Sequence, residues 1–381
     1  MSEEKLLLIP GPSPVLPRIL EALARPTVSH VGPEMVQAVC ESCGRLKEVV
    51  FCAKGEPFII SGAGTLAMEM AVLNTIDPED RVLIVSQGYF GERMAQICQT
   101  FGFRHDVLSA EPEKAVPSEA LEARLGERVY QAVVCTHVDT ATGVAAPLEA
   151  YCRVVGKSPA LFIVDGVCAT GGMPERMDPW GIDVVFTAAQ KCLGVPPGLS
   201  ILVFSERAME KRRNLDSIPA YYSDLLRWLP VMHDPAQYFS TPAVNEMRAL
   251  HEGLRVVMEE GIEQRFKRHE RQAAAFRAGL GALNLALFTE PGSRASTLSV
   301  VVYPEEIEDQ AFRDALKENG VVVAGGLGES KGRVFRIGHM GNLSSAQVEF
   351  AMEAIEKTLT TLEYGFEPGS GVAAAMKALA Q

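Results

Sequence analysis

Two ionisable residues stand at the ends of apolar runs. Asp165 closes "ALFIVD" (160–165), and Lys191 follows "DVVFT" (183–187) four residues after Thr187. Lysine is rarely buried without a partner, so its place between two runs that both read as buried strands calls for a reason. A carboxylate at the C-terminal end of a strand in an open α/β sheet faces the ligand crevice. Asp165 and Lys191 are separated by one further strand, so the two can meet at one sheet edge. One outcome is a plain ion pair. The other is catalytic machinery: an acid that keeps a ring nitrogen protonated, and an amine that condenses with an aldehyde.

Three further stretches bear on the choice. "SGAGTLAME" (61–69) puts glycines after a strand and before a helix, where backbone N–H groups hold phosphate. It lacks the third glycine of the dinucleotide fingerprint and the Gly-Lys-Ser/Thr of a P-loop. "GYFGER" (88–93) sets Tyr89 and Phe90 at another strand end, placed either for the core or for stacking on a flat ring. "THVDTATG" (136–143) leaves a strand with the hydroxyls of Thr140 and Thr142, as a plain turn or as a ligand loop. The Asp–Lys pair is what pyridoxal 5'-phosphate needs.

The elements that must position these residues are short β-rich runs at 57–60, 81–85, 104–108, 130–137, 160–165, 183–187 and 199–204. Helical patterns lie between them at 65–75, 92–101, 118–125 and 148–155. Continuous apolar strands alternating with helices indicate an α/β fold with a mostly parallel sheet covered on both faces. The last two runs leave no room for a helix, which predicts an antiparallel edge. From residue 261 a charged helix, then strands near 297–303, 320–324 and 333–338 and helices near 307–319 and 344–363, form a smaller α/β unit. The division is an N-terminal arm (1–15), a large domain (16–260) and a small C-terminal domain (261–381). "GFEPGSGVAAAMKALAQ" closes the chain as a packing helix or a frayed tail. The cluster "RFKRHERQ" (265–272) is expected to be a solvated helix face.

A formal charge of -12 argues against nucleic acid, which needs a basic surface. No apolar run approaches a membrane span, and the acidic start "MSEEKLLL" is not a secretory signal. A cytoplasmic protein is expected. Eight cysteines read as reduced, mostly buried thiols. Cys40 and Cys43 form a C-x-x-C with no second pair and no histidine at ligand spacing, so no metal site is assigned.

These motifs, in this order, resemble the class V aminotransferases among fold-type I pyridoxal-phosphate enzymes, most closely the alanine–glyoxylate and serine–glyoxylate aminotransferases. The likeness runs from "PGPSPVLPRILEALARP" to "RVFRIGHMGN". It implies that Lys191 is the Schiff-base lysine and that Asp165 pairs with the pyridine nitrogen. It implies Phe90 against the ring, Thr140 on its side, and Gly64, Thr65 and Gln190 at the phosphate. Tyr238 and Thr241 of "YFSTP" would reach the phosphate of the neighbouring subunit in a homodimer, and Arg336 of "FRIG" would bind the substrate carboxylate. Ala189 and Asp139 depart from the commoner Ser and Glu, and Thr65 stands where some eukaryotic members have His. The implied reaction moves an amino group from alanine or serine to glyoxylate. Ureidoglycine as donor, a cysteine desulfurase-like lyase and a non-catalytic complex subunit are the alternatives. Gln190 before the lysine and the lack of any cysteine beyond Cys192 argue against the lyase. Intact Lys191, Asp165 and Arg336 argue against a dead subunit.

Overall fold

A computed structural model of the protein describes residues 5–381. A two-residue strand β1 (Leu6–Leu7) opens the chain. Seven strands follow: β2 (Glu56–Ser61), β3 (Arg81–Ser86), β4 (Arg104–Ser109), β5 (Ala132–Thr136), β6 (Leu161–Asp165), β7 (Val184–Ala188) and β8 (Leu199–Phe204). They form one sheet in the order β2-β8-β7-β6-β5-β3-β4. Every residue of β5, β6, β7 and β8 is buried, as a sheet covered on both faces requires. The edge strand β4, "RHDVLS", is polar and partly exposed, which discourages pairing with another chain.

β8 is antiparallel to both β7 and β2, and all other pairings are parallel. The expected antiparallel edge is present, with β8 one strand in and β2 outermost. The short link between β7 and β8 forces a reversal, because a parallel return needs a crossover of a dozen residues or more. From β5 the order runs one way through β6 and β7, and from β3 the other way to β4. The crevice at such a switch point lies outside the C-terminal strand ends. Phe90, Thr140, Asp165 and Lys191 all follow or end strands there.

The second unit carries β9 (Leu298–Val302), β10 (Val321–Val322), β11 (Ala324–Gly325) and β12 (Val334–Gly338). The run read as one strand at 320–324 divides between two sheets. β10 pairs in parallel with β1, and β11 joins β12 and β9 in an antiparallel sheet. Leu8 is buried among Val321, Phe335 and Ile337, so the N-terminal arm packs into this second core. The first core gathers residues from Ile19 to Val257 around the large sheet.

The helix Ile262–Ala282 overturns the solvated reading of "RFKRHERQ": Arg265, Phe266, His269 and Gln272 are buried. The C-terminal stretch is a packing helix, Ser370–Leu379. It approaches the Ile262–Ala282 helix so closely that a Cβ on Gly279 would lie 2.9 Å from the Gly371 carbonyl oxygen. Among the described residues, no helix is long and apolar enough to cross a membrane.

Candidate active site

Lys191 sits in the turn after β7, held from two sides. From above, the N-terminal arm crosses it. Its Nζ donates to the Pro10 carbonyl oxygen. Ser13 donates its hydroxyl to the Lys191 carbonyl (2.7 Å) and its N–H to that of Gln190 (2.9 Å). Gly11, at φ +85°, permits this: a Cβ there would fall 2.3 Å from Lys191 Cδ. From below, Arg265 donates to the carbonyl oxygens of Cys192 (2.7 Å) and Gly171 (3.1 Å) and to Asn342 Oδ1 (3.0 Å). Its guanidinium is wholly buried and paired with Glu260 at 2.6 Å, which also holds Arg268. A buried cation needs such a set of acceptors. The cluster expected to face water thus braces the lysine turn.

Asp165 ends β6 and is buried. One oxygen accepts from the Val167 N–H at 3.0 Å. Burial raises its carboxyl from 3.8 to about 7; the Val167 bond and Lys191 oppose the rise, and Asp139 and Glu175 add to it. Beneath it, Glu175 pairs with His137 Nδ1 at 2.8 Å and accepts from Thr170 Oγ1 at 2.5 Å. His137 is thereby turned to Glu175, as part of the strand-end framework.

The cavity between these groups is about 230 Å³ and is lined by Gly64, Thr65, Phe90, Thr140, Gln190 and Lys191, with Asp165 at its wall. Gly64 and Thr65 begin the helix Gly64–Leu73, whose N-terminus has no side-chain cap. Phe90 lies in the first turn of the helix Tyr89–Thr100. Buried Asp139 ties that turn to the loop after β5: Oδ2 accepts from the Phe90 N–H (2.7 Å) and Oδ1 from the Ala141 N–H (2.8 Å). Arg336, on β12, stands behind Thr140 and donates to its carbonyl oxygen (3.0 Å) and to that of Gly325 (2.7 Å). Both acceptors are neutral, and Arg336 has no carboxylate partner among the described residues.

Tyr238 and Thr241 are not brought to this cavity. They share a surface loop, Tyr238 OH 3.4 Å from Thr241 Oγ1, and Tyr238 is 65% exposed beside His30. Sequence reasoning also missed cavity residues. Arg93 and Cys168 line the wall. Arg93 follows Phe90 by three positions in a helical first turn, a spacing that puts both on one face. Gly11 and Ser13 lay in the quoted "PGPSP" with no role given to them.

The residues fit pyridoxal phosphate on two observations of the fold. The Gln190 amide has a buried oxygen with no hydrogen-bond partner, and the same amide turned over presents its NH2 group as a donor to a phosphate oxygen. Asp165 is buried, with its carboxyl pushed up by that burial, and it has no ion-pair partner among the described residues; a protonated ring nitrogen would give it one.

The profile of the family described as "Aminotransferase class-V" matches residues 20–339. An uncharacterized aminotransferase of Methanocaldococcus jannaschii is 39% identical over 379 residues, 99% of this chain and 98% of that one. Among solved structures, the ureidoglycine–glyoxylate aminotransferase of Bacillus subtilis superposes with a TM-score of 0.95 at 30% identity, covering 100% of this chain and 99% of that one. The alanine–glyoxylate aminotransferase of Nostoc sp. gives 0.90 at 31% identity, over 94% and 96%.

Proposed function

The chain belongs to the class V aminotransferases, which use pyridoxal phosphate, and from that premise we propose that it moves the amino group of alanine or serine to glyoxylate, releasing glycine and a keto acid. The observation that carries this reading is the convergence of Lys191 and Asp165 on one cavity, with Arg336 behind Thr140. When bound, the cofactor supplies an aldehyde carbon that receives the amino group and a ring that accepts electrons. Lys191 Nζ is the base that takes the donor's α-proton. The turn that carries Lys191 is held by Ser13 and Arg265, so the amine moves only about its own side-chain torsions. Asp165 holds a proton at the ring nitrogen. Phe90 would hold the ring face and Thr140 its side, and Gly64, Thr65 and Gln190 would hold the phosphate. Arg336 grips the α-carboxylate with two N–H groups, which fixes the α-carbon beside Lys191.

Arg336 is the one guanidinium assigned to a substrate carboxylate, and a dicarboxylate would bear the cost of drawing a second cation, Arg93 on the cavity wall, to its distal end. Small donors avoid that cost. The Bacillus subtilis neighbour makes ureidoglycine the second donor to test. The assay is kcat/KM for alanine, serine, ureidoglycine, aspartate and glutamate with glyoxylate fixed, then pyruvate and 2-oxoglutarate as rival acceptors. A preference for glutamate or 2-oxoglutarate would refute the reading.

The active unit in this reading is a homodimer with shared sites. Exposed Tyr238 and Thr241 are free to reach a partner's phosphate, and exposed Tyr221 lies on the neighbouring loop. All eight cysteines are unpaired, which suits a reducing compartment such as the cytoplasm.

A further inference from the structure

We propose that Arg93 is the chain's own cation for the cofactor phosphate, an inference that rests on the aminotransferase reading. Four observations meet on this residue. Arg93 lines the same cavity as Gly64, Thr65 and Gln190. Its Nη1 lies 3.5 Å from Thr65 Oγ1, so the guanidinium reaches the first turn of the Gly64–Leu73 helix. That helix start has no side-chain cap, and its first N–H groups lack intrahelical acceptors, which leaves an anion-seeking end. The guanidinium is steadied over the rings of Phe90 (4.7 Å) and Tyr89 (5.2 Å) and forms no ion pair among the described residues.

Arg93 is a half-exposed guanidinium on the cavity wall with no ion-pair partner among the described residues, so an anion that enters the cavity can reach it. The other cation on the cavity wall, Lys191, is turned to the Pro10 carbonyl. A doubly charged phosphate against a helix end gains about half a unit of opposing charge, so a full positive charge alongside it matters. Two sources of oxyanion could meet Arg93: the cofactor phosphate or the distal carboxylate of a dicarboxylic donor. Its place beside Thr65, on the helix that receives the phosphate, favours the first. With Arg93 so engaged, no cation remains in the cavity for a second substrate carboxylate, in keeping with small donors.

The test compares full-length wild type, Arg93→Gln and Arg93→Lys, each loaded with cofactor and then followed as it releases it. Equilibrium binding of pyridoxal phosphate and of pyridoxal, which lacks the phosphate, is measured by absorbance. Arg93→Gln should weaken pyridoxal phosphate about ten- to hundredfold, the range of a charge-assisted hydrogen bond. It should leave pyridoxal unchanged, and Arg93→Lys should recover part of the loss. The salt dependence of phosphate-cofactor binding should also fall in Arg93→Gln. Equal losses for both ligands, or none, would overturn the proposal. So would unchanged cofactor binding with a selective fall in kcat/KM for aspartate, which would assign Arg93 to a substrate carboxylate. Failure of the wild type to bind pyridoxal phosphate would instead sink the aminotransferase reading itself.

Discussion

Replacing Asp165 by Asn should make the cofactor-free protein more stable at neutral and alkaline pH. Burial holds the Asp165 carboxyl at about 7 in the fold, against 3.8 for the unfolded chain. The native state therefore binds this proton more tightly than the unfolded state does. Stability falls as pH rises from about 4 through 7, and then stays level. At about 1.4 kcal/mol per pH unit, the span amounts to about 4 kcal/mol. Asn is nearly isosteric and has no proton to lose. The cofactor-free variant should gain up to about 4 kcal/mol near pH 8 and almost nothing near pH 4. Urea unfolding midpoints of both proteins at the two pH values measure this. Loaded with cofactor, the order should reverse, because the carboxylate then has its cation. Parallel pH profiles for wild type and Asp165→Asn without cofactor would refute the argument that this side chain is held at a cost to stability for function.

Lys191→Ala should abolish transamination and keep the thermal midpoint close to wild type, since its turn is also held by Ser13 and Arg265; turnover near the wild-type rate would remove Lys191 from the chemistry. Arg265→Met should cost about 3 kcal/mol, the low end for breaking a buried ion pair, because Glu260 keeps Arg268. An unchanged melting temperature would mean that the bracing of the lysine turn contributes nothing. Arg336→Lys should raise KM for both substrates, because an ammonium cannot make a planar two-point contact; a change in kcat alone would contradict that role. Mixing a Lys191→Ala protein with a Tyr238→Phe/Thr241→Ala protein should restore one intact site per mixed dimer, and no recovery after verified subunit exchange would rule out shared sites.

Strand runs such as "RVLIV" and "ALFIVD" were legible because a strand buried on both faces must be apolar throughout, so each announces itself locally. Asp165 and Lys191 were legible for the same reason. A charged residue where an apolar run stops stands out, and parallel topology gathers such ends on one edge. Tertiary structure decided the rest. β8 lies inside β2 because strand order depends on distant pairing, which no local pattern encodes. The charged stretch 265–272 could be buried only because Glu260, Gly171, Cys192 and Asn342 converge on Arg265 from across the chain. Helical periodicity cannot separate a solvated arginine from one with four acceptors. The arm from Leu6 to Ser13 showed no role in the sequence, yet it joins β10 and then closes over Lys191. Arg93 became a cavity residue only when the starts of two helices met. In each case the deciding free energy lies in contacts between segments far apart in the chain, and those contacts exist only once the whole chain has packed.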